Sequence, residues 1–271
     1  MSLFNPNIKD VSVLLKPAYS PSRIPAPIGW QELACGDYIR TQTQLLINDY
    51  GRRLRCGTTV LLGPLSAQLN CQRFSVRQPL TISPNKGTAN VRAQLEHLPL
   101  KNGSVDQIIL PFVLEFGRDP HQILREVNRV LADDGYLLLT GFNPLSPALI
   151  SGWNPKQKKA FPWAGRYFTA LRVKDWLSLL GYEIVQHDYF IGRFLNSEDN
   201  QSHLGSEMTW TEKLCRKAPL LNASYAILAR KCVYHKVSKL RAGQPSTVMQ
   251  RPVAAARIES TLEQNKEVLH D

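Results

Sequence analysis

Three positions in this chain set a polar or side-chain-free residue where it could meet a ligand. Gly63 closes the apolar run Val60-Leu61-Leu62, and a glycine at a strand end lets the backbone itself approach a bound molecule. Glu115 lies just beyond the apolar run 105–110 and offers a carboxylate to a substrate. Asn143 precedes Pro144 at the end of the apolar run 136–142, the carboxyl end of a strand, where open α/β sheets receive ligands. Each has a plainer alternative: a strand-ending turn, a solvated or paired carboxylate, an Asn-Pro turn. His187 and Tyr189 are further candidates for the substrate side, with core or surface roles as the alternative. The six histidines and five cysteines show no metal-ligand spacing and no CxxC, so no metal is expected and the thiols read as reduced, as in a cytoplasm. No GxGxxG follows a strand, which excludes a nicotinamide enzyme.

The elements that hold these residues are plainest in 98–146. Asn102-Gly103 makes a turn into a buried strand, 105–110. Asp119 as N-cap with Pro120 at the first helical position then starts a helix whose Ile123, Leu124, Val127, Val130 and Leu131 share one face. Asp134-Gly135 is expected to stop it, with Gly135 in the left-handed turn, before a second buried strand at 136–142. A strand, helix and strand in this order predict a parallel sheet covered by helices. Upstream, 30–54 predicts an amphipathic helix using Leu33, Ile39, Leu45, Leu46 and Leu54. Strands are expected at 58–62, 79–82 and 90–93, with a short helix at 65–69. Downstream, a helix at 172–180 with Trp176, Leu177 and Leu180 on one face ends at Gly181, and strands follow at 182–189 and 223–229. Asp106 is expected to fix the start of the 105–110 strand, and Glu126 with Arg129 to form a surface ion pair.

The succession Leu98-Pro99, Ser104-x-Asp106, Asp119-Pro120, Arg125-Glu126-Val127-Asn128-Arg129-Val130-Leu131 and Asp134-Gly135 resembles class I S-adenosylmethionine (SAM) methyltransferases. It is most similar to the type 11 methyltransferase domains, which include ubiquinone- and biotin-pathway enzymes. Gly141-Phe142-Asn143-Pro144-x-Ser146 is similar to a narrower bacterial branch without an assigned substrate. The likeness is specific over about fifty residues and extends more weakly across 29–231. It implies a three-layer, Rossmann-like α/β fold with a mostly parallel sheet and an antiparallel edge hairpin. It also implies SAM as cofactor and methyl transfer to an unidentified acceptor. By the same resemblance Gly63 approaches the cofactor's methionine end, and Thr81 stands at the ribose-binding position. Val91-x-Ala93-Gln94-Leu95-Glu96-x-Leu98-Pro99 places Gln94 at the adenine edge with Leu95 beside it. Phe112 falls next to the cofactor's sulfur, Glu115 and Asn143 on the substrate side, and Glu96 braces the loop. The first half departs from the family pattern. Leu61 replaces an acidic residue, Leu65 and Ala67 replace the second and third glycines, and Thr81 replaces an aspartate. These departures support a rival reading: a non-catalytic protein of the same fold that binds a partner or nucleic acid.

The 271 residues allow one domain with additions or two small ones, and the expected organisation is an extended, proline-bearing arm at 1–28, the methyltransferase-like domain at 29–232 and a basic tail, expected to be disordered, at 233–271. Within the domain a polar insertion is expected at about 190–219, with a short helix at 210–216. No apolar run approaches the roughly 20 residues that span a bilayer, and the N-terminus lacks a signal-peptide pattern, so a cytoplasmic location is expected. The net charge of +11 is the one unusual global feature. Lys156, Lys158, Lys159, Arg166, Arg172 and Lys174 concentrate it, which admits a nucleic acid or other acidic partner at a basic surface.

Overall fold

The computed structural model describes residues 19–20, 24–52, 54, 57–71, 78–85, 89–150, 161–192, 215 and 217–232. Contacts divide the chain into Met1–Val233 and Tyr234–Asp271. The second unit lies outside the described residues, as do the expected tail at 233–271, most of the 1–28 arm and nearly all of the 190–219 insertion with its helix.

Seven strands form one sheet: β1 (Thr59–Leu62), β2 (Leu80–Ser83), β3 (Val91–Arg92), β4 (Val105–Pro111), β5 (Leu131–Phe142), β6 (Tyr182–Phe190) and β7 (Ser224–Lys231). Their spatial order is β3-β2-β1-β4-β5-β7-β6. All neighbours from β3 to β5 run parallel, while β7 is antiparallel to both β5 and β6. The expected edge hairpin is therefore present, with β7 on its inner side. The chain leaves β1 towards β3 and returns to the other flank of β1 as β4. That reversal, between β1 and β4, is where open α/β sheets receive ligands, beyond the carboxyl ends of the strands.

The strands read as unbroken apolar runs because both faces of the sheet are covered. Val60, Leu62, Ile108, Leu110, Leu137 and Leu139 pack on one face with α2 (Pro120–Val130) and α4 (Ala170–Leu179). Leu61, Ile109, Leu138 and Phe142 pack on the other with α1 (Gly36–Gly51) and the short α3 (Pro147–Ile150). Asp106 joins the starts of β1 and β4, its Oδ2 accepting the Thr58 amide at 2.8 Å, which agrees with the expectation for it.

Helix α2 begins as expected. Asp119 accepts the Gln122 amide at 3.0 Å and Pro120 occupies the first turn. Asp119→Ala is expected to lower stability by about 1 kcal/mol in a urea titration, the usual effect of removing an N-cap. The other end differs from expectation. The helix stops at Val130, Leu131 already pairs with Val105 in the sheet, and the left-handed residue is Asp134 (φ 62°), not Gly135. Gly135 is needed for another reason: a Cβ there would press on the Ala132 and Asp106 carbonyls. Lys231 reaches the freed carbonyls of Asn128 and Leu131 at 2.9 and 2.8 Å. Glu126 and Arg129 do pair at 2.8 Å, and they also anchor the loop before β4. Glu126 accepts the Leu98 amide at 2.9 Å, while Arg129 donates to the Leu98 and Leu100 carbonyls, each at 2.9 Å.

The helix expected over 30–54 is two elements, a 3-10 turn at Trp30–Glu32 and α1. Its buried face carries Ile39, Thr43, Ile47 and Tyr50, and Leu45 is exposed. Gly36 opens α1 because a Cβ there would collide with the Trp30 carbonyl. Between β1 and β3 the described residues contain no α-helix, only the 3-10 turn Pro64–Gln68. Helix α4 ends at Leu179, followed by Gly181 at φ 85°. Among the described residues no helix is long and apolar enough to cross a membrane.

Candidate functional site

Gly63 ends β1 at the sheet's reversal point with φ 99° and ψ 166°, a conformation open to glycine and costly for other residues. Its amide donates to the Ile82 carbonyl at 2.8 Å, and a Cβ would collide with Val113 Cγ2. The chain then folds into the Pro64–Gln68 turn, held by Ser66 Oγ donating to the Gly63 carbonyl at 2.5 Å. Leu65, where a glycine was expected, is 1% exposed, and its carbonyl accepts the Trp30 indole N–H at 2.9 Å. Trp30 meets Phe112 edge-to-face at 6.0 Å, and Phe112 lies 4.4 Å from the Phe142 ring. Phe112 (φ 50°) is thus part of a buried aromatic row joining β4, β5 and the segment before α1.

The other expected cofactor residues lie along the same edge. Thr81 is buried in β2 beside Leu61, and its amide donates to Asn90 Oδ1 at 3.0 Å. Leu61 is itself core. Gln94 follows β3, exposed, with its carbonyl accepting the His97 amide at 3.2 Å; Leu95 beside it is buried. Asn143, after β5, has its amide committed within the fold. Nδ2 donates to the Leu220 and Asn222 carbonyls at 2.7 and 3.0 Å, and Oδ1 accepts the Leu145 amide at 3.2 Å. It ties the end of β5 to the turn before β7.

Glu115 stands apart. It follows β4 in the turn that carries Val113, and it is 1% exposed. Oε1 accepts the Phe142 amide at 2.8 Å, whereas Oε2 has no hydrogen-bond partner among the described residues. Burial pushes its carboxyl up to about 7, opposed by hydrogen bonding from the Phe142 amide and from its own backbone amide. Three residues not foreseen from sequence surround it. Gly141 in β5 has no room for a side chain, because a Cβ would lie 2.5 Å from the Tyr225 hydroxyl and 2.8 Å from Glu115 Oε1. Tyr225 in β7 and Tyr167 before α4 are both shifted upward, mainly by burial and then by Glu115. A glycine inside the apolar strand β5 was the available signal of a close approach. Nothing local marked the tyrosines.

Across the hairpin Tyr225 pairs with Tyr189, whose ring lies 4.6 Å from His187. His187 is held below its usual value by burial and then by Lys174, and its Nε2 has no partner. Among the expected basic surface residues, Arg166 donates to the Gly117 and Arg118 carbonyls, and Arg172 lies over Phe168 and Trp176. Lys156, Lys158 and Lys159 lie outside the described residues.

For SAM, the edge provides the backbone turn at Gly63 and an unpartnered carboxylate oxygen suited to a cationic ligand, at Glu115. Neither Thr81, at the position the resemblance gives to the ribose, nor Gln94, at the one it gives to the adenine edge, is a carboxylate. The set fits the cationic methionine end of the cofactor better than its ribose. No group of histidine, cysteine and carboxylate residues among the described residues could hold a metal ion.

A family model described as a methyltransferase domain matches residues 60–139. The uncharacterized protein YafS of Escherichia coli K12 is 35% identical over 176 residues, covering 65% of this chain and 73% of that protein. Two solved structures share the fold. Geranyl diphosphate C-methyltransferase from Streptomyces coelicolor A3(2), in complex with Mg2+, geranyl diphosphate and S-adenosyl-L-homocysteine, is 12% identical with a TM-score of 0.51, covering 82% of this chain and 87% of its own. The [4+2]-cyclase SpnF is 16% identical with a TM-score of 0.52, covering 71% of this chain and 82% of its own. At these identities the solved structures speak for the fold alone.

Proposed function

We propose, given that this chain belongs to the class I methyltransferase family and carries its methyltransferase domain, that it performs SAM-dependent methyl transfer to an acceptor held at the carboxyl ends of β1, β4 and β5. The observation that carries this reading is Glu115: beyond the carboxyl end of β4 and against the end of β5, a buried carboxylate oxygen without a partner among the described residues. Buried polar groups of native folds are generally met by a protein group, an ordered water or a ligand, and a carboxylate at a strand end is placed for the last of these.

When bound, SAM supplies an electrophilic methyl group. The protein's part is to position the reactants and exclude water. The Gly63 backbone turns beside the methionine end, Leu95 and Gln94 address the adenine, and Thr81 offers a hydroxyl near the ribose. Glu115 faces the acceptor, fixed in orientation by the Phe142 amide.

Calorimetry with S-adenosylhomocysteine (SAH) tests the reading. Measurable heat and a rise in unfolding temperature are expected, since saturation at a hundred times Kd stabilises by about 2.7 kcal/mol. No heat and no thermal shift at millimolar SAH would remove it.

A second reading has one specific observation in its favour. Leu65 and Trp30 pack the loop that carries glycines elsewhere in the family, as suits a partner-binding protein that has lost catalysis. The cyclase SpnF, with the same fold, is a reminder that architecture alone does not fix methyl transfer. The SAH experiment separates the two readings.

A further inference from the structure

Among the described residues Glu115 has no counter-charge, and its Oε2 has no hydrogen-bond partner. The ion pairs among the described residues lie elsewhere, at Arg40–Asp37, Arg129–Glu126, Arg230–Asp134 and Lys231–Asp133. Around the carboxylate the fold places aromatic side chains instead. Phe116 is the next residue and meets Phe161 edge-to-face at 5.6 Å. Phe142, whose amide holds Oε1, meets Tyr167 at 6.4 Å. The Tyr225 hydroxyl and Glu115 Oε1 both crowd the Gly141 Cα, and a Cβ at Gly165 would lie 2.9 Å from the Phe116 ring and 3.4 Å from Glu115 Cβ. Two glycines therefore bring backbone and rings in close around one carboxyl group.

An isolated buried carboxylate is costly unless it is neutralised, and aromatic rings favour a cation over an anion or a dipole. We infer that Glu115, with Phe116, Phe142, Tyr167 and Tyr225, forms a subsite for a positively charged onium group. The inference deepens the methyl-transfer reading and rests on it. Two sources share this chemistry: the protonated nitrogen of an amine acceptor, and the sulfonium of the cofactor. In either case Oε1 stays on the Phe142 amide while Oε2 faces the charge. Burial raises the carboxyl to about 7, so at pH 8 it is ionised and ready to receive a cation.

The test uses the full chain at pH 8 and constant ionic strength, with butylammonium chloride and butanol as a charged and neutral pair of probes. Butylammonium is expected to raise the unfolding temperature and butanol to leave it unchanged. Glu115→Gln should abolish the difference. Phe116→Leu, which keeps the carboxylate and removes one ring, should weaken the response severalfold and serves if Glu115→Gln does not fold. In a second arm, SAM and SAH are titrated into wild type and Glu115→Gln. A preference for SAM of tenfold or more that disappears in the variant, with butylammonium silent, assigns the subsite to the cofactor's sulfonium and still supports it. Equal responses to butylammonium and butanol, together with a SAM-to-SAH ratio unchanged by Glu115→Gln, overturn it. A protein that ignores SAM and SAH yet discriminates butylammonium from butanol loses the methyl-transfer reading and keeps the subsite.

Discussion

Trp30→Ala is expected to lower the unfolding free energy by about 3–5 kcal/mol, the range for emptying a buried tryptophan site. The side chain is fully buried, although it belongs to a 3-10 turn of only three residues outside any regular element. It sits at a junction. Its indole N–H holds the Leu65 carbonyl after β1, its ring packs edge-to-face on Phe112 after β4, and its own carbonyl stands where Gly36 begins α1. Truncation would leave a cavity against the aromatic row and a buried carbonyl without a donor. Trp30→Phe separates the two contributions: it keeps most of the ring volume and loses the hydrogen bond, at about 1–3 kcal/mol. Denaturant titration of the three proteins reads both. A loss below about 1 kcal/mol for Trp30→Ala would mean that the segment before α1 is not an integral part of the domain. Weakened SAH binding in the same variant would show that the indole also shapes the first loop.

The second large effect is a dependence of stability on pH that runs through one carboxyl group. Glu115 is raised from 4.5 to about 7 in the folded protein, chiefly because burial disfavours its charged form. The folded state therefore holds this proton more tightly than the unfolded chain does. The stabilisation is complete below about pH 4.5 and is lost as pH rises through about 7. Its size is on the order of 3 kcal/mol for a fully buried group with that shift. Glu115→Gln removes the titration while keeping an acceptor for the Phe142 amide. The difference in unfolding free energy between variant and wild type should therefore grow in favour of the variant between pH 4.5 and 7 and then level off. His121 and His187 are held below their usual values by burial and act in the opposite direction over part of the same range. Both proteins contain them, so the difference isolates Glu115. Parallel stability curves for the two proteins would show that the carboxyl is not desolvated in the folded state.

Much of the architecture was legible because its signals are local. Asp119-Pro120 started α2 where the N-cap and proline rules place it, and Gly181 ended α4 with a positive φ. Six of the seven strands appeared within about two residues of their apolar runs, while β5 begins at Leu131, five residues before the expected 136. Errors arose where a local rule met a tertiary constraint. Gly135 suggested a left-handed turn, but Asp134 takes that conformation while Gly135 yields space to the Asp106 backbone. Leu45 matched the apolar face of a helix, yet Thr43 and Tyr50 are buried and Leu45 is not, because the segment 33–35 breaks the helical phase before α1.

The candidate site was legible in outline. Gly63, Gln94, Glu115 and Asn143 follow β1, β3, β4 and β5 respectively, as the strand-end argument required, while Thr81 lies within β2 rather than at its end. Their individual surroundings were not. Asn143 is engaged by carbonyls almost eighty residues away in the chain, and Phe112 is locked into an aromatic row.

Residue order alone thus determined the βαβ rhythm, the parallel sheet and the edge at which ligands would gather. Periodicity, caps and turn chemistry act over a few residues and are written in consecutive positions. Only the tertiary structure decided that Leu65 is closed over by Trp30, and that Glu115 lies buried near Phe142, Tyr167 and Tyr225 with no counter-charge among the described residues. Those outcomes depend on groups from four or five separate elements meeting in one small volume. Burial and the absence of a partner are properties of that volume, and no stretch of sequence carries them by itself.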